Sequence, residues 1–127
     1  MGNKLRIYDL MDNELIYIEQ KIFRFMPEYN IHSLNQHMAT VKKEFTFFKP
    51  RFNINSVMGN YTMKGDFLGR DFEILKDGKV VAMVSKKWLS FSDTYMVEID
   101  DAEDQAFMLA LIIVIDQVLH DNNHNNG

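Results

Sequence analysis

The stretch QAFMLALIIVIDQVL, residues 105–119, decides the fold of this chain of 127 residues. Between residues 106 and 115 it has no polar side chain, so a helix built from it has no face suited to water. Ten apolar residues are too few to span a bilayer, which takes about 20. We expect Asp100 or Asp101 to cap the helix and Asp104 to lie in its first turn, where carboxylates favour the helix dipole. The segment predicts a buried, central C-terminal helix.

The chain before this helix repeats one pattern of apolar positions at intervals of about 20 residues. Four copies of it begin at Ile18, Val41, Tyr61 and Val84. Each copy contains two segments in which apolar and polar residues alternate, as at 38–43, and this alternation is typical of β-strands. A turn separates the two segments. Hairpin signals, such as DG at 77–78, separate one copy from the next.

Two strands per copy, and a further strand from Leu5 to Asp9, predict a meander of about nine short antiparallel strands. A closed antiparallel barrel could enclose an all-apolar helix, so the fold class predicted is mainly β, a barrel around one helix. We expect residues 1–120 to form one domain and residues 121–127 to be a fraying polar tail. The recurrent residues at the strand ends are expected to pack the barrel ends rather than to bind a ligand; they are Phe25, Phe48, Leu68 and Phe91.

Composition excludes several classes of protein. Aromatic residues make up 13% of the chain, too many for a disordered protein. The net charge of −4 argues against bulk binding to nucleic acid. The chain has no cysteine, which excludes disulfides, thiolate metal sites and thiol nucleophiles. Without a signal-peptide pattern, we expect a cytoplasmic protein.

Several short motifs resemble the LURP-one-related family. They are GDFLGRDF at 65–72, DG at 77–78, SKKW at 85–88, DTY at 93–95 and the apolar segment 110–116, which looks like the family's terminal helix. The resemblance extends from Leu5 to Leu119. It implies the Tubby C-terminal-like fold, a twelve-stranded antiparallel barrel around a hydrophobic helix, in agreement with the barrel inferred from periodicity.

The strand count departs from that family pattern, since about nine of the twelve strands are predicted here. The first strand corresponds to the second half of a repeat and lacks its hairpin partner. An open edge would expose one flank of an apolar helix. We therefore expect either a gene product that is longer at its N-terminus or self-association that covers the gap.

No catalytic set, metal site or cofactor site assembles from the residues. The sequence has no nucleophile elbow, and GDFLG at 65–69 lacks the ending of a phosphate loop. His32 and His37 bracket a turn and are expected at the surface. His120 and His124 have the spacing of a helical metal pair, but we expect the helix to end before His124. The prediction is a protein that is not an enzyme and has neither cofactor nor metal.

The feature that most indicates function is a set of basic residues. Lysines recur in each copy where a strand meets its turn, so they could line one rim of the barrel and hold anionic oxygens. The alternative is a solvated rim whose lysines block edge pairing. The candidate anion-binding residues are Lys42, Lys43, Lys49, Arg51, Lys64, Arg70, Lys86 and Lys87.

Two functions are compatible with these residues. One is a non-catalytic module that binds anionic phospholipid head groups at a membrane surface, which would make the protein peripheral to the membrane. The resemblance supports it, because Tubby domains bind phosphoinositides and the related scramblases act on phospholipids. The other is a scaffold that recruits a partner protein through an exposed sheet edge.

Overall fold

Nine antiparallel strands and one helix make up the described part of the computed structural model, which covers residues 2–66, 71–85 and 96–125, with side chains as far as His120. The strands are β1 (Lys4–Tyr8), β2 (Glu14–Gln20), β3 (Glu28–Ser33), β4 (Gln36–Lys43), β5 (Arg51–Ser56), β6 (Gly59–Gly65), β7 (Phe72–Lys76), β8 (Lys79–Ser85) and β9 (Met96–Ile99). The helix α1 (Gln105–Asn125) follows them. Each strand pairs with the next in the chain, so the sheet is a meander, as predicted.

The strand register explains the repeat. The first and last apolar positions of a copy face each other across a hairpin, as Ile18 faces Ile31 and Val84 faces Val97. In the weaker third copy Tyr61 faces Lys76 instead and Ile74 faces Met63, so the pairing of that hairpin is offset by two residues from the others. Each copy of the repeat is therefore one hairpin whose recurrent strand residues lie on the inner face of the sheet.

That inner face packs against α1 to form the core. Buried strand residues include Ile18, Ile31, Val41, Ile54, Met63 and Ile74, and buried helix residues include Phe107, Met108, Leu111, Val114 and Ile115. Small residues occupy two inner positions, Ala39 and Ala82, and both are buried. The core therefore combines the two features read from the sequence, the alternating strands and the apolar helix.

The helix begins later than predicted, and a different carboxylate caps it. Asp104 precedes α1, and its Oδ1 accepts a hydrogen bond of 2.9 Å from the backbone N–H of Phe107. Asp100 instead closes the preceding turn, where its Oδ1 accepts from the N–H of Ala102 at 2.9 Å. Asp104 is the N-cap because its side chain reaches an N–H group that has no partner within the helix.

The sheet is not closed, so the predicted barrel is not confirmed. Among the described strands β1 and β9 each have one neighbour and do not pair with each other. On α1 the side chains of Leu109 and Ile113 are 44% and 41% exposed. Complete burial of the helix was therefore a wrong prediction, because an open sheet leaves one side of the helix uncovered.

The helix continues to Asn125, into the segment that the sequence analysis assigned to the polar tail. Extending an existing helix adds one hydrogen bond per residue and needs no new nucleation, so even poor helix formers can be included. Among the described residues, no helix is long and apolar enough to cross a bilayer.

Candidate functional site

The described basic candidates gather at one end of the sheet. Lys42 and Lys43 end β4, Arg51 begins β5, Lys49 lies in the connection between them, and Lys64 is next to last in β6. Arg51 and Lys64 are directly opposite each other in neighbouring strands. We call these five residues the basic rim. The other three candidates, Arg70, Lys86 and Lys87, lie outside the described residues.

Lys43 is the most unusual member of the basic rim. Its position faces inward, opposite the buried Phe52, and its side chain is half-buried. Burial lowers the pKa of Lys43, because removing water disfavours the ammonium ion. No ion pair to Lys43 forms within the described part of the chain. A partly desolvated cation without a carboxylate partner is suited to accept an anion from outside.

The two glutamates in or beside the connections 21–27 and 44–50, Glu28 and Glu44, already form ion pairs with arginines. Nε of Arg51 lies 3.8 Å from Oε2 of Glu44, whose other oxygen accepts a hydrogen bond from the Asn53 amide. Nε of Arg24 lies 3.6 Å from Oε1 of Glu28. Lys42 and Lys49 are exposed and, like Lys43, form no ion pair with a described residue. Lys42, Lys43 and Lys49 are therefore not neutralised by a described carboxylate and can bind an anion.

Two grooves border the basic rim and differ in charge. One, of about 510 Å³ between β6 and β9, is lined by Lys64 and four carboxylates, Asp66, Asp71, Glu73 and Glu98. The other, of about 530 Å³ on the outer face of β4 to β7, is lined by Lys42, amide and hydroxyl side chains, and Asp77; the uncharged polar residues are Asn53, Asn55, Asn60, Tyr61 and Thr62. The second groove offers neutral hydrogen-bonding groups beside Lys42, which forms no ion pair with a described residue.

Exposed phenylalanines at the same end were missed by the sequence analysis. Phe25 and Phe48 do not pack the end of a barrel, as predicted, but are 89% and 77% exposed. Their counterparts Leu68 and Phe91 lie outside the described residues. We define the phenylalanine patch as the five exposed rings in the connections 21–27 and 44–50, namely Phe23, Phe25, Phe45, Phe47 and Phe48. The available signal was their position in turns, where a ring has few core neighbours.

The two connections that carry the patch are held together. The backbone N–H of Lys43 donates to the carbonyl of Pro27 at 3.0 Å, and the Phe25 and Phe45 rings lie 6.3 Å apart. Gly65 N–H donates to the Pro50 carbonyl at 3.1 Å. A Cβ on Gly65 would lie 2.7 Å from Pro50 Cγ, so only glycine allows this close approach. The phenylalanine patch and the basic rim therefore lie at the same end of the sheet, on segments that backbone hydrogen bonds hold together.

His32 and His37 lie elsewhere, on the outer face of the sheet. His32 and His37 pair across the β3–β4 hairpin with ring centroids 5.7 Å apart, and His32 also stacks on Tyr17 at 5.8 Å. Nε2 of His32 is 3.5 Å from a Glu19 oxygen. Among the described residues, no group of three or more His, Asp or Glu side chains is arranged to hold a metal ion.

The opposite end of the sheet is acidic. It contains the β1–β2, β3–β4, β5–β6 and β7–β8 turns and the start of α1. Its carboxylates are Asp9, Asp12, Asp77, Asp100, Asp101, Glu103 and Asp104. The turns at this end thus carry more carboxylates than the described connections beside the basic rim, where Glu44, Asp66 and Asp71 lie.

Comparison with known proteins gives two matches. The sequence profile of the LURP-one-related family matches residues 1–116 of the chain. The chain is 37% identical over 123 residues to "Uncharacterized protein YxjI" of Bacillus subtilis (strain 168), and the match covers 96% of this chain and 74% of the relative. No solved structure matches the chain.

Proposed function

Because the chain belongs to the LURP-one-related family, we propose that it is a non-catalytic module that binds anionic phospholipid head groups at the cytoplasmic surface of a membrane. The observation that carries the proposal is Lys43, a half-buried cation with no carboxylate partner among the described residues. Lys42 and Lys49 add exposed charge beside it. Phosphate oxygens accept charge-assisted hydrogen bonds from such ammonium groups.

The charge distribution supports the same proposal. Net charge is −4, yet the basic rim stands at one end and most carboxylates of the turns at the other. An anionic surface attracts the first end and repels the second, so the protein approaches with the basic rim forward. The amide-lined groove next to Lys42 then offers neutral donors and acceptors to the remaining polar atoms of a head group.

Sedimentation with vesicles tests this function. The protein is mixed with phosphatidylcholine vesicles with and without phosphatidylserine, over a range of salt concentrations. We expect binding that needs the anionic lipid and weakens as salt rises, because salt screens exposed charges. A variant with Lys42, Lys43 and Lys49 all changed to Gln should lose most of this binding.

A matched control separates the basic rim from total charge. Lys79 is exposed in the β7–β8 hairpin at the acidic end. Lys79→Gln removes one charge, as Lys43→Gln does, and should leave vesicle binding nearly unchanged. Equal losses from both single variants would show that binding has no defined site, and undiminished binding by the triple variant would refute the proposal.

A second candidate function, protein interaction through the sheet edge, is favoured by the open sheet. β9 exposes Met96 and Val97, and α1 exposes Leu109 and Ile113. Unpaired edge strands can accept another strand. We propose a second copy of this chain as the partner, because two copies present the same open edge and the same exposed apolar residues to each other. Light scattering after size exclusion tests it, and a monodisperse species of 15.0 kDa at every concentration would count against it.

A further inference from the structure

The phenylalanine patch has no role in head-group binding, yet it is a large apolar feature of the surface. Its five rings are between 63% and 95% exposed. Contiguous exposed apolar surface of this kind marks an interaction site in soluble proteins. The rings lie in two connections at one end of the sheet and are exposed to solvent, so the partner must receive protruding side chains.

Backbone geometry indicates that this exposure is built into the fold. Phe23 has a φ of 59°, in the left-handed region that a bulky residue rarely adopts. Its ring is nevertheless 95% exposed, so no packing of the ring offsets the strain. Such outliers persist where the surrounding structure imposes them and often occur at functional sites. The ring centroids of Phe45 and Phe47 are 5.3 Å apart, and this pair extends the patch along the second connection.

Charge decides which partner the patch fits. Basic residues flank the rings in both connections and at the strand ends, namely Lys21, Arg24, Lys42, Lys43, Lys49 and Arg51. The acidic residues within 20–28 and 42–51 are Glu28 and Glu44, and both are paired with arginines. Apolar rings surrounded by cations complement the boundary between anionic head groups and acyl chains. A fluid bilayer also receives protruding side chains without needing a matching pocket.

We propose that the phenylalanine patch inserts into the outer acyl region of an anionic lipid bilayer while the basic rim holds the head groups. The inference rests on the proposed function and specifies how the site engages the membrane. Burial of apolar rings anchors the protein, and the lysines select anionic surfaces. Insertion therefore survives at salt concentrations that remove purely electrostatic binding.

Labelling at single cysteines tests the insertion directly, since the chain contains no natural cysteine. Phe47→Cys carries an environment-sensitive NBD dye within the patch. Leu34→Cys carries it at the acidic end, where Leu34 is equally accessible at 85% exposure. With phosphatidylcholine–phosphatidylserine vesicles, we expect the dye at position 47 to brighten, shift to the blue and be quenched by spin-labelled lipid. The dye at position 34 should not respond.

A double variant measures the contribution of the rings. Phe25→Ser with Phe47→Ser should weaken vesicle partitioning by about ten-fold or more, since each ring withdrawn loses its apolar burial. Leu34→Ser is the control and should leave partitioning unchanged. Circular dichroism and a thermal melt confirm that both variants fold, which their exposure at these positions predicts.

Three other results would contradict insertion into the bilayer. Unchanged sedimentation of the double variant with a silent dye at position 47 would mean purely electrostatic binding, so the proposed function would stand without insertion. Absence of sedimentation by the unaltered protein with either lipid mixture would refute both. A dimer in light scattering that the double variant abolishes would show that the patch is a contact between copies of the chain.

Discussion

The phenolic oxygen of Tyr61 donates a hydrogen bond of 2.6 Å to Oε1 of Glu103, joining β6 to the turn that leads into α1. Lys76 Nζ lies 3.7 Å from the other oxygen of Glu103 and 5.3 Å from the centre of the Tyr61 ring. The Glu103 side chain is only 9% exposed, so its carboxylate needs these partners to offset the cost of leaving water. The cluster fixes the start of the helix against the sheet, and Tyr61 also packs against Phe107.

Removing the phenolic hydroxyl should destabilise the fold. In Tyr61→Phe the nearly buried carboxylate of Glu103 keeps Lys76 but loses its hydrogen-bond donor, at a cost of about 1–3 kcal/mol in the free energy of unfolding. Urea denaturation measures the change. Tyr8→Phe is the control, because Tyr8 is exposed on β1 and its change should stay within about 0.5 kcal/mol. Equal effects of the two substitutions would contradict the stabilising role of the cluster.

Stability should decline at alkaline pH, in part through Tyr61. Burial, followed by the hydrogen bond to Glu103, raises the pKa of the Tyr61 phenol above its ordinary value of 10.0. A pKa raised by folding stabilises the native state at every pH below the unfolded value, and this contribution is lost as pH rises from about 10 towards the folded value. Denaturation between neutral pH and pH values above 10 measures this slope. The slope should be shallower in Tyr61→Phe; an unchanged slope would show that other groups cause the decline.

Lys43 should contribute to stability with the opposite sign. Its pKa is lowered by burial, so the folded state binds the proton less tightly than the unfolded state. The unfavourable effect is complete below the lowered pKa and is relieved as pH rises towards 10.5. We expect Lys43→Met to be more stable than the unaltered protein at neutral pH and to bind anionic vesicles less well. A destabilised Lys43→Met would indicate that the ammonium group supports the fold.

Two leucines of α1 should respond differently to a carboxylate. Leu111 is fully buried, while Leu109 is on the uncovered side of the helix. Leu111→Asp should abolish folding because it buries a charge without a partner, whereas Leu109→Asp should remain folded. Circular dichroism with thermal melting distinguishes them. Cooperative melting of Leu111→Asp would contradict the central position of the helix.

The β3–β4 hairpin can be stabilised through its turn. Leu34 and Asn35 have φ values of 52° and 64°, as a type I′ turn requires, but leucine is poorly suited to that conformation. Replacing the pair by Asn-Gly should raise the free energy of unfolding by about 1 kcal/mol, because asparagine and glycine adopt positive φ at less steric cost than leucine. The β7–β8 turn serves for comparison, since Gly78 has a φ of 80° and Gly78→Ala should lower stability. Thermal melts measure both, and no gain from Asn-Gly would mean that the turn is not strained.

Much of the fold follows from local patterns. Alternation of apolar residues determines which face of each strand is inward, and a helix without a polar side must be packed against something. The hairpin repeat was therefore predictable, and the family was predicted from the resemblance of short motifs such as GDFLGRDF at 65–72. The N-cap was not, because Asp100, Asp101 and Asp104 are all suitable residues and only the path of the turn decides which side chain reaches Phe107 N–H.

By itself, the sequence determined the nine-stranded meander, the C-terminal helix and the position of the lysines near strand ends, because each is set by residues close together in the chain. The strand count raised the question of an open edge, but only the tertiary structure decided that the sheet does not close, that Leu109 is among the exposed helix residues and that Lys43 is half-buried without a partner among the described residues. It also decided that Phe25 and Phe48 lie outside the core. Closure, burial and surface clustering depend on where distant segments meet in space, and a pattern of apolar residues does not distinguish a ring that packs inward from one presented to a partner.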